Sequence, residues 1–311
     1  MTHFHSTKDY HLRDLKTLGW ELTVCNALEP HDSPCRTVLK RSDSYGNLLY
    51  DFLGRLLPME DVGKVIEIGG GYGYLMRDFL RRNGRLEACM LDIAPALLER
   101  QRESLKHFPV RFRQEDFLET EESSFQEFDL AILNENLGDF PVVVNIDKPA
   151  LERGGPEEPL QEVKRVFASY SLEPPLSGLF HFNLGAALAV EKLCSSGIRY
   201  VFLSEHSCEA AAPERCGRLR VRSAGIPEKI SLYGHDEYTV KFSWLQKIAA
   251  RFGYASVRGP LADFVEPDFT PGLDFVISSG ATARDEHEII RQFVEDLYQY
   301  EYLVLRAGGC G

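Results

Sequence analysis

The chain has no surplus of positive charge. Its 35 Lys and Arg residues stand against 47 Asp and Glu, for a net charge of −12. General binding to DNA or RNA rests on clustered Lys and Arg, so no nucleic-acid partner is expected. No apolar run approaches the roughly 20 residues that a membrane helix needs. The N-terminus, MTHFHSTKDYHLRDLKTLGW, holds neither an apolar signal core nor an Arg-rich, acid-poor transit character. No membrane partner is therefore expected, and a cytoplasmic location is. The seven cysteines (25, 35, 89, 194, 208, 216 and 310) are an odd number without a compact framework, which favours reduced thiols. Cys208 and Cys216 flank a loop-like stretch, but no second Cys pair or nearby His spacing completes a site, and no metal is expected. Also missing is the third glycine of the dinucleotide fingerprint G-x-G-x-x-G. Counted from Gly69 that position is Tyr74, and from Gly71 it is Met76.

What the chain does have is the stretch VGKVIEIGGGYGYLMRDFL, residues 62–80. Val65, Ile66 and Ile68 form a short apolar run suited to a buried parallel strand. The run breaks into Gly69-Gly70-Gly71-Tyr72-Gly73 and resumes at helical spacing with Leu75, Phe79 and Leu80. Strand, glycine turn and helix open a βαβ nucleotide-binding unit, in which glycine lets the backbone approach a ligand closely. Glu67 sits at the strand end. A carboxylate there gains little from pyrophosphate and much from a ligand bearing an ammonium or sulfonium group. The pattern E-x-G-x-G-x-G resembles the first motif of class I S-adenosylmethionine-dependent methyltransferases, which implies cofactor contacts at Glu67, Gly69, Gly71 and Gly73.

Three further strand ends follow. Leu86–Leu91 reads as a second strand ending in Asp92, a residue that can accept hydrogen bonds from both ribose hydroxyls or cap the helix expected over Pro95–Lys106. Val110–Phe117 alternates into a third strand that closes on Asp116-Phe117. In the resembled class such an acid–aromatic pair lies beside the adenine. Phe128–Leu133 reads as the fourth strand and ends in Asn134-Glu135-Asn136-Leu137-Gly138-Asp139-Phe140-Pro141. Ligands of open α/β sheets bind outside the carboxyl ends of the strands. Glu67, Asp92, Asp116 and Glu135 are thus expected in one crevice.

Residues 1–60 read as a helical extension, with helix-like spacing in Asp9–Leu18 and a helix from Tyr45 to Leu57. Residues 61–311 form the main domain. At about 142–182 the βα rhythm breaks in an insertion that includes the Gly154-Gly155-Pro156 loop. A helix over Asn183–Ser196 and a fifth strand over Arg199–Ser204 come next. Glu205–Lys229 reads as a polar loop carrying Arg215, Arg218, Arg220 and Arg222. A helix over Phe242–Arg251 follows. Tyr254–Arg258 and Leu273–Ser278 are expected as the antiparallel strand pair closing the sheet, Asp285–Tyr302 as a final helix, and 307–311 as a frayed end. The fold expected is α/β: a mostly parallel seven-stranded sheet with helices on both faces.

Four stretches together resemble MidA-type methyltransferases, the family of the mitochondrial complex I assembly protein that methylates a protein arginine. They are EIGGGYGYLMRDFL, LDIAPALLERQRESL, NENLGDFPV and YGHDEYTVKFSWLQKIAARFGYASVRGPLADFV. The chain departs from that family in lacking its N-terminal His-Pro…Gly-Tyr-Tyr pattern, in Ser204-Glu205-His206 after the fifth strand, and in Asn136. The resemblance implies S-adenosyl-L-methionine as cofactor, S-adenosyl-L-homocysteine as product, and a protein arginine as acceptor. Glu135 would pair with the guanidinium, with Asp139 second and Asn134 orienting. A small-molecule acceptor under a lid made by the insertion, with His206 or His235 as base, is the alternative. A cofactor-binding assembly factor without turnover is another. A second copy of the chain is included among the expected partners.

Overall fold

The computed structural model describes residues 2–15, 23–153, 158–176, 178–232, 234–278 and 285–308. Part of the expected Asp9–Leu18 helix, the Gly154-Gly155-Pro156 loop and residues 309–311 lie outside them. In chain order the elements are β1 (His3–His5), α1 (Val24–Ala27), α2 (Tyr45–Leu56), β2 (Lys64–Ile68), α3 (Tyr74–Arg82) and β3 (Glu87–Asp92). Then come α4 (Pro95–Ser104), β4 (Val110–Gln114), β5 (Leu130–Asn134), β6 (Val142–Ile146), α5 (Lys148–Arg153), α6 (Glu158–Ser169), β7 (Phe180–Phe182) and α7 (Leu184–Ser195). The chain continues with β8 (Tyr200–His206), β9 (Lys229–Ser231), β10 (Asp236–Tyr238), α8 (Phe242–Arg251), β11 (Tyr254–Pro260), α9 (Pro271–Ser278), α10 (Asp285–Gln299) and β12 (Tyr300–Ala307). Among the described residues no helix is long and apolar enough to cross a membrane.

Seven strands form one sheet in the order β11-β12-β8-β5-β2-β3-β4. β4, β3, β2, β5 and β8 run parallel, and β12 runs antiparallel to both β8 and β11. The strand period of two divides the buried residues between two faces. Val65, Leu130, Ile132 and Phe202 join α2, α3 and α10 in one core, while Ile66, Ile68, Ala131, Leu133 and Val201 join α7 and α8 in the other. Burial on both faces is why the central strands read as continuous apolar runs. Strand order reverses at β2, between β3 on one side and β5 on the other, and this opens a crevice at their carboxyl ends.

Two expectations about the closing strands are corrected. Leu273–Ser278 is not a strand but most of α9. Pro271 starts that helix, the Thr270 hydroxyl accepts from the Leu273 N–H at 3.3 Å, and Leu273 and Val276 are buried one turn apart while Phe275 faces outward. The seventh strand is β12, which follows α10 without a Gly or Pro break, so that sequence alone reads both as one helix to Tyr302. Ala307 pairs with Tyr254 inside the sheet, so it is not frayed.

The insertion opens with a strand as well. β6 lies between β1 and β7 in a separate antiparallel three-stranded sheet, with His3 opposite Val144 and His5 opposite Val142. This sheet brings the N-terminal segment to the mouth of the crevice. Tyr10–Asp14 then makes a π-helical turn rather than an α-helix. β9 and β10 form a two-stranded hairpin within the stretch expected to be loop and its continuation.

Candidate active site

At the carboxyl end of β2, Gly69, Gly71 and Gly73 all have positive φ (64°, 53° and 78°), a backbone conformation that side chains resist. A Cβ on Gly69 would stand 2.4 Å from the Asn136 amide nitrogen, and that amide donates to the Ile68 carbonyl. The turn is thereby fixed against the loop after β5. Glu67 is 2% exposed, and its Oε2 is buried without a hydrogen-bond partner among the described residues. Burial, reinforced by the negative Asp92, pushes this carboxyl up to about 8.

Asp92 ends β3. Its oxygens accept from the Ala94 N–H at 2.9 Å and from Gln101 Nε2 at 2.8 Å, and the same Gln101 nitrogen lies 3.0 Å from the Gly71 carbonyl. One amide on α4 therefore ties the glycine turn to the second strand end. Burial raises Asp92 to about 6 against the pull of those bonds. Asp92 is not the helix cap that was the other expectation: the N-cap position of α4 is Ala94, without a side-chain cap, and Asp92 makes a turn just ahead of it. Asp116 accepts from the Leu118 N–H at 3.0 Å and forms an ion pair with Lys8 at 2.7 Å. Phe117 is buried and stacks on Phe140.

Beyond β5 the loop places Glu135 at φ 54°, a strained setting for a non-glycine residue. Its Oε2 accepts from the Val24 N–H at 2.7 Å. Its Oε1 accepts from Cys25 N–H at 3.2 Å and from Asn134 Nδ2 at 3.0 Å. As folded, Glu135 receives the first amides of α1, the place where a helix start favours negative charge. Thr23 caps the same helix through the Asn26 N–H. Asn134 is locked by Tyr45 Oη at 2.6 Å and Ser204 Oγ at 2.9 Å. Burial raises Glu135 to about 7. Asp139 behaves oppositely. Its Oδ1 lies 3.0 Å from His11 Nε2 and 3.4 Å from His235 Nε2, and those imidazoles outweigh burial and hold it down at about 2.

A cavity of about 450 Å³ joins these groups. Glu67, Gly69, Gly71, Asp92, Asp116, Phe117, Asn134, Glu135 and Asp139 all line it, whereas Gly73 starts α3 behind it. The sequence reading missed the cover and the far wall. Thr7, Lys8, Tyr10, His11 and Cys25 line the cavity from the N-terminal segment, and Glu205, Glu237 and Tyr300 line it from β8, β10 and the start of β12. Burial raises Glu205 to about 8, while its oxygens accept from the Gly138 N–H at 2.8 Å and the His206 N–H at 2.7 Å. Lone polar residues in loops carry no periodic signal. The apolar run Val142–Val144, which brings β1 alongside, was the one available hint of the cover.

These residues fit S-adenosylmethionine. A buried, unpartnered carboxylate oxygen stands beside the glycine turn, and raised carboxyls line a cavity whose ligand would supply sulfonium and ammonium charge. Residues 66–149 match the family model of a methyltransferase domain. No curated protein matches the chain. Among solved structures, the chain is similar to an O-methyltransferase family protein from Burkholderia thailandensis, at 12% identity over 90% of this chain and 59% of that one, with a TM-score of 0.43. It is also similar to an S-adenosylmethionine-dependent methyltransferase from Clostridium acetobutylicum, at 8% identity over 86% and 94%, with a TM-score of 0.45. A third is a glycopeptide N-methyltransferase bound to S-adenosylmethionine, at 14% identity over 85% and 94%, with a TM-score of 0.43. Likenesses this distant do not bear on the acceptor. The family match gives the chain a methyltransferase domain at residues 66–149, and the glycine turn with the unpartnered Glu67 oxygen fits S-adenosylmethionine as its cofactor.

Proposed function

We propose that the acceptor is a cationic nitrogen, and specifically the guanidinium of a protein arginine. One observation carries this reading. Glu135 lines the cavity beyond the glycine turn, and among the described residues its oxygens accept only from neutral N–H groups and meet no cation, while Glu205 and Glu237 line the same cavity and face only the imidazoles of His206 and His235. A carboxylate left without a cation inside a low-dielectric cavity favours a ligand that brings one. Guanidinium stays charged at neutral pH and offers a planar fork of donors that suits carboxylates. When bound, the cofactor supplies an electrophilic methyl on a sulfonium. The protein's part is to hold the nitrogen in line and to draw positive charge away from the attacking atom. Glu135 is assigned that role, Asn134 fixes its orientation, and Asp139 stands further along the same loop. Because Glu135 also holds the start of α1, residues 23–28 must withdraw for it to meet an acceptor. In this reading residues 1–60 are an extension that covers the domain of 61–311.

A small-molecule acceptor is the second reading. It is favoured by the cover that Thr7, Lys8, Tyr10 and His11 make over the cavity. Transfer of labelled methyl from S-adenosylmethionine into a cell lysate separates the two. Label in protein that yields methylarginine on hydrolysis supports the first reading. Label confined to the small-molecule fraction overturns it in favour of the second.

A further inference from the structure

We propose that His11, Asp139 and His235 form a site for a divalent transition-metal ion of the zinc class, and that this ion latches the N-terminal segment over the cavity. The three residues come from separate parts of the fold: the π-helical turn, the loop after β5 and the loop entering β10. Each offers one ligand atom, and the three atoms lie within 4.8 Å of one another. Two ligands about 2.1 Å from a tetrahedral ion stand roughly 3.4 Å apart. The separations here are 3.0 Å from Asp139 Oδ1 to His11 Nε2 and 3.4 Å to His235 Nε2.

A second observation sets this group apart from an ordinary ion pair. His11 Nε2 and Asp139 Oδ1 are inaccessible to water, and despite their 3.0 Å approach neither has a partner in hydrogen-bond geometry. The imidazole nitrogen therefore points beside the carboxylate oxygen rather than at it, as two ligands do when they share an ion between them. The surroundings hold the ligands in place. Tyr10 stacks on the His235 ring at 4.3 Å, and the Thr7 hydroxyl donates to the Asp139 carbonyl at 2.6 Å. Glu237 Oε1 lies 3.1 Å from His235 Nε2, close enough to supply a fourth ligand by a small swing or to leave that position open to the cavity. Two imidazoles and a carboxylate without thiolate suit zinc and its neighbours rather than calcium or magnesium. The sequence reading expected no metal because it found no partners for Cys208 and Cys216, and residues 11, 139 and 235 share no motif spacing that would have drawn them together.

The site shares Asp139 and Glu237 with the acceptor side of the cavity, but its test uses neither cofactor nor acceptor. The full chain, freed of metal with a chelator, is titrated with Zn²⁺ alone by calorimetry and with Co²⁺ alone by visible absorption. The expected result is one ion per chain, with the intense visible bands of a four-coordinate nitrogen–oxygen site. Loss of an outer partner of a metal ligand already costs about tenfold in affinity, so His11→Ala and His235→Ala should each cost more. His107→Ala, at an exposed histidine, should change nothing. If the alanine variants fold poorly, His11→Gln provides the same comparison with side-chain size kept. Zn²⁺ should also slow hydrogen exchange in residues 3–15. Absence of stoichiometric binding, a weak six-coordinate Co²⁺ spectrum, or affinity unchanged in the His11 and His235 variants would overturn the site. Stoichiometric binding without slowed exchange would overturn the latch.

Discussion

The two walls of the cavity are built in different ways. The wall formed by β2, β3 and β4 is made of strand ends and a glycine turn, and Glu67, Asp92 and the glycines sit on or directly after the buried apolar runs of β2 and β3. The opposite wall is made of the N-terminal segment, the loop after β5 and the hairpin β9–β10, held by contacts such as Glu135 with Val24 and His235 with Tyr10. The first wall is fixed chiefly by β2 and β3, whose apolar residues are buried on both faces of the sheet. The second is assembled from segments far apart in sequence and can come apart without unfolding the sheet. A binding site for a fixed cofactor suits the first, and a gate for a changing acceptor suits the second.

The sharpest test of this division is Glu135→Gln. Turnover should fall about 100-fold or more, while calorimetry finds cofactor affinity unchanged. In the wild type the rate should climb with pH through about 7, where Glu135 ionises, and that limb should vanish in the variant. Cofactor affinity lost in parallel with turnover would move Glu135 to the other wall.

Glu67 should show the reverse pattern. Its carboxyl lies at about 8 in the folded, cofactor-free chain against an ordinary 4.5. The folded state therefore keeps a proton that the unfolded chain gives up. Stability from this group is full below about pH 4.5 and is lost as pH rises toward 8, by a few kcal/mol on the linkage scale of about 1.4 kcal/mol per pKa unit. Glu67→Gln should flatten that part of the plot of Tm against pH. A cationic ligand that ionises Glu67 must also expel its proton, so cofactor binding at pH 7 should release close to one proton. Calorimetry in buffers of different ionisation heat reads this directly, and the release should disappear in the variant.

Gly69→Ala adds a Cβ against the Asn136 amide at a positive φ. It should destabilise the chain by roughly 1–3 kcal/mol in chemical denaturation, and it should weaken cofactor binding more than it affects the acceptor's KM. The smallest effect is expected from Lys8→Ala. This half-exposed pair with Asp116 should change stability by less than about 1 kcal/mol, yet speed cofactor association by uncovering Asp116, as stopped-flow fluorescence would detect.

The same division governed what could be read from the sequence. Val65–Ile68, Ala88–Leu91 and Leu130–Leu133 are buried on both faces, so their apolar runs mark them as strands, and Glu67, Asp92 and Glu135 follow from where those runs lie, while Asp116 follows from the alternation of Val110–Gln114 at the sheet edge. No such frame surrounds His11, Glu205 or Glu237, whose meeting depends on loop paths that tertiary packing sets. The errors at the C-terminal end have a similar cause. Leu273–Ser278 has strand-like composition, but the Thr270 hydroxyl and Pro271 start a helix there. The α10–β12 junction carries no breaker residue, because the geometry of the β8 edge, rather than local propensity, turns the chain there.

The pairing of β1 with β6 sets an order for folding. His3 meets Val144 across a span that holds four parallel strands, and closing so long a loop is slow compared with the local steps of each βα unit. The cofactor wall can therefore form on its own, with its cover arriving last. Contacts made after the rate-limiting step govern escape from the native state rather than entry to it. Damage to residues 3–5 should thus hasten opening of the finished protein while leaving its speed of folding untouched.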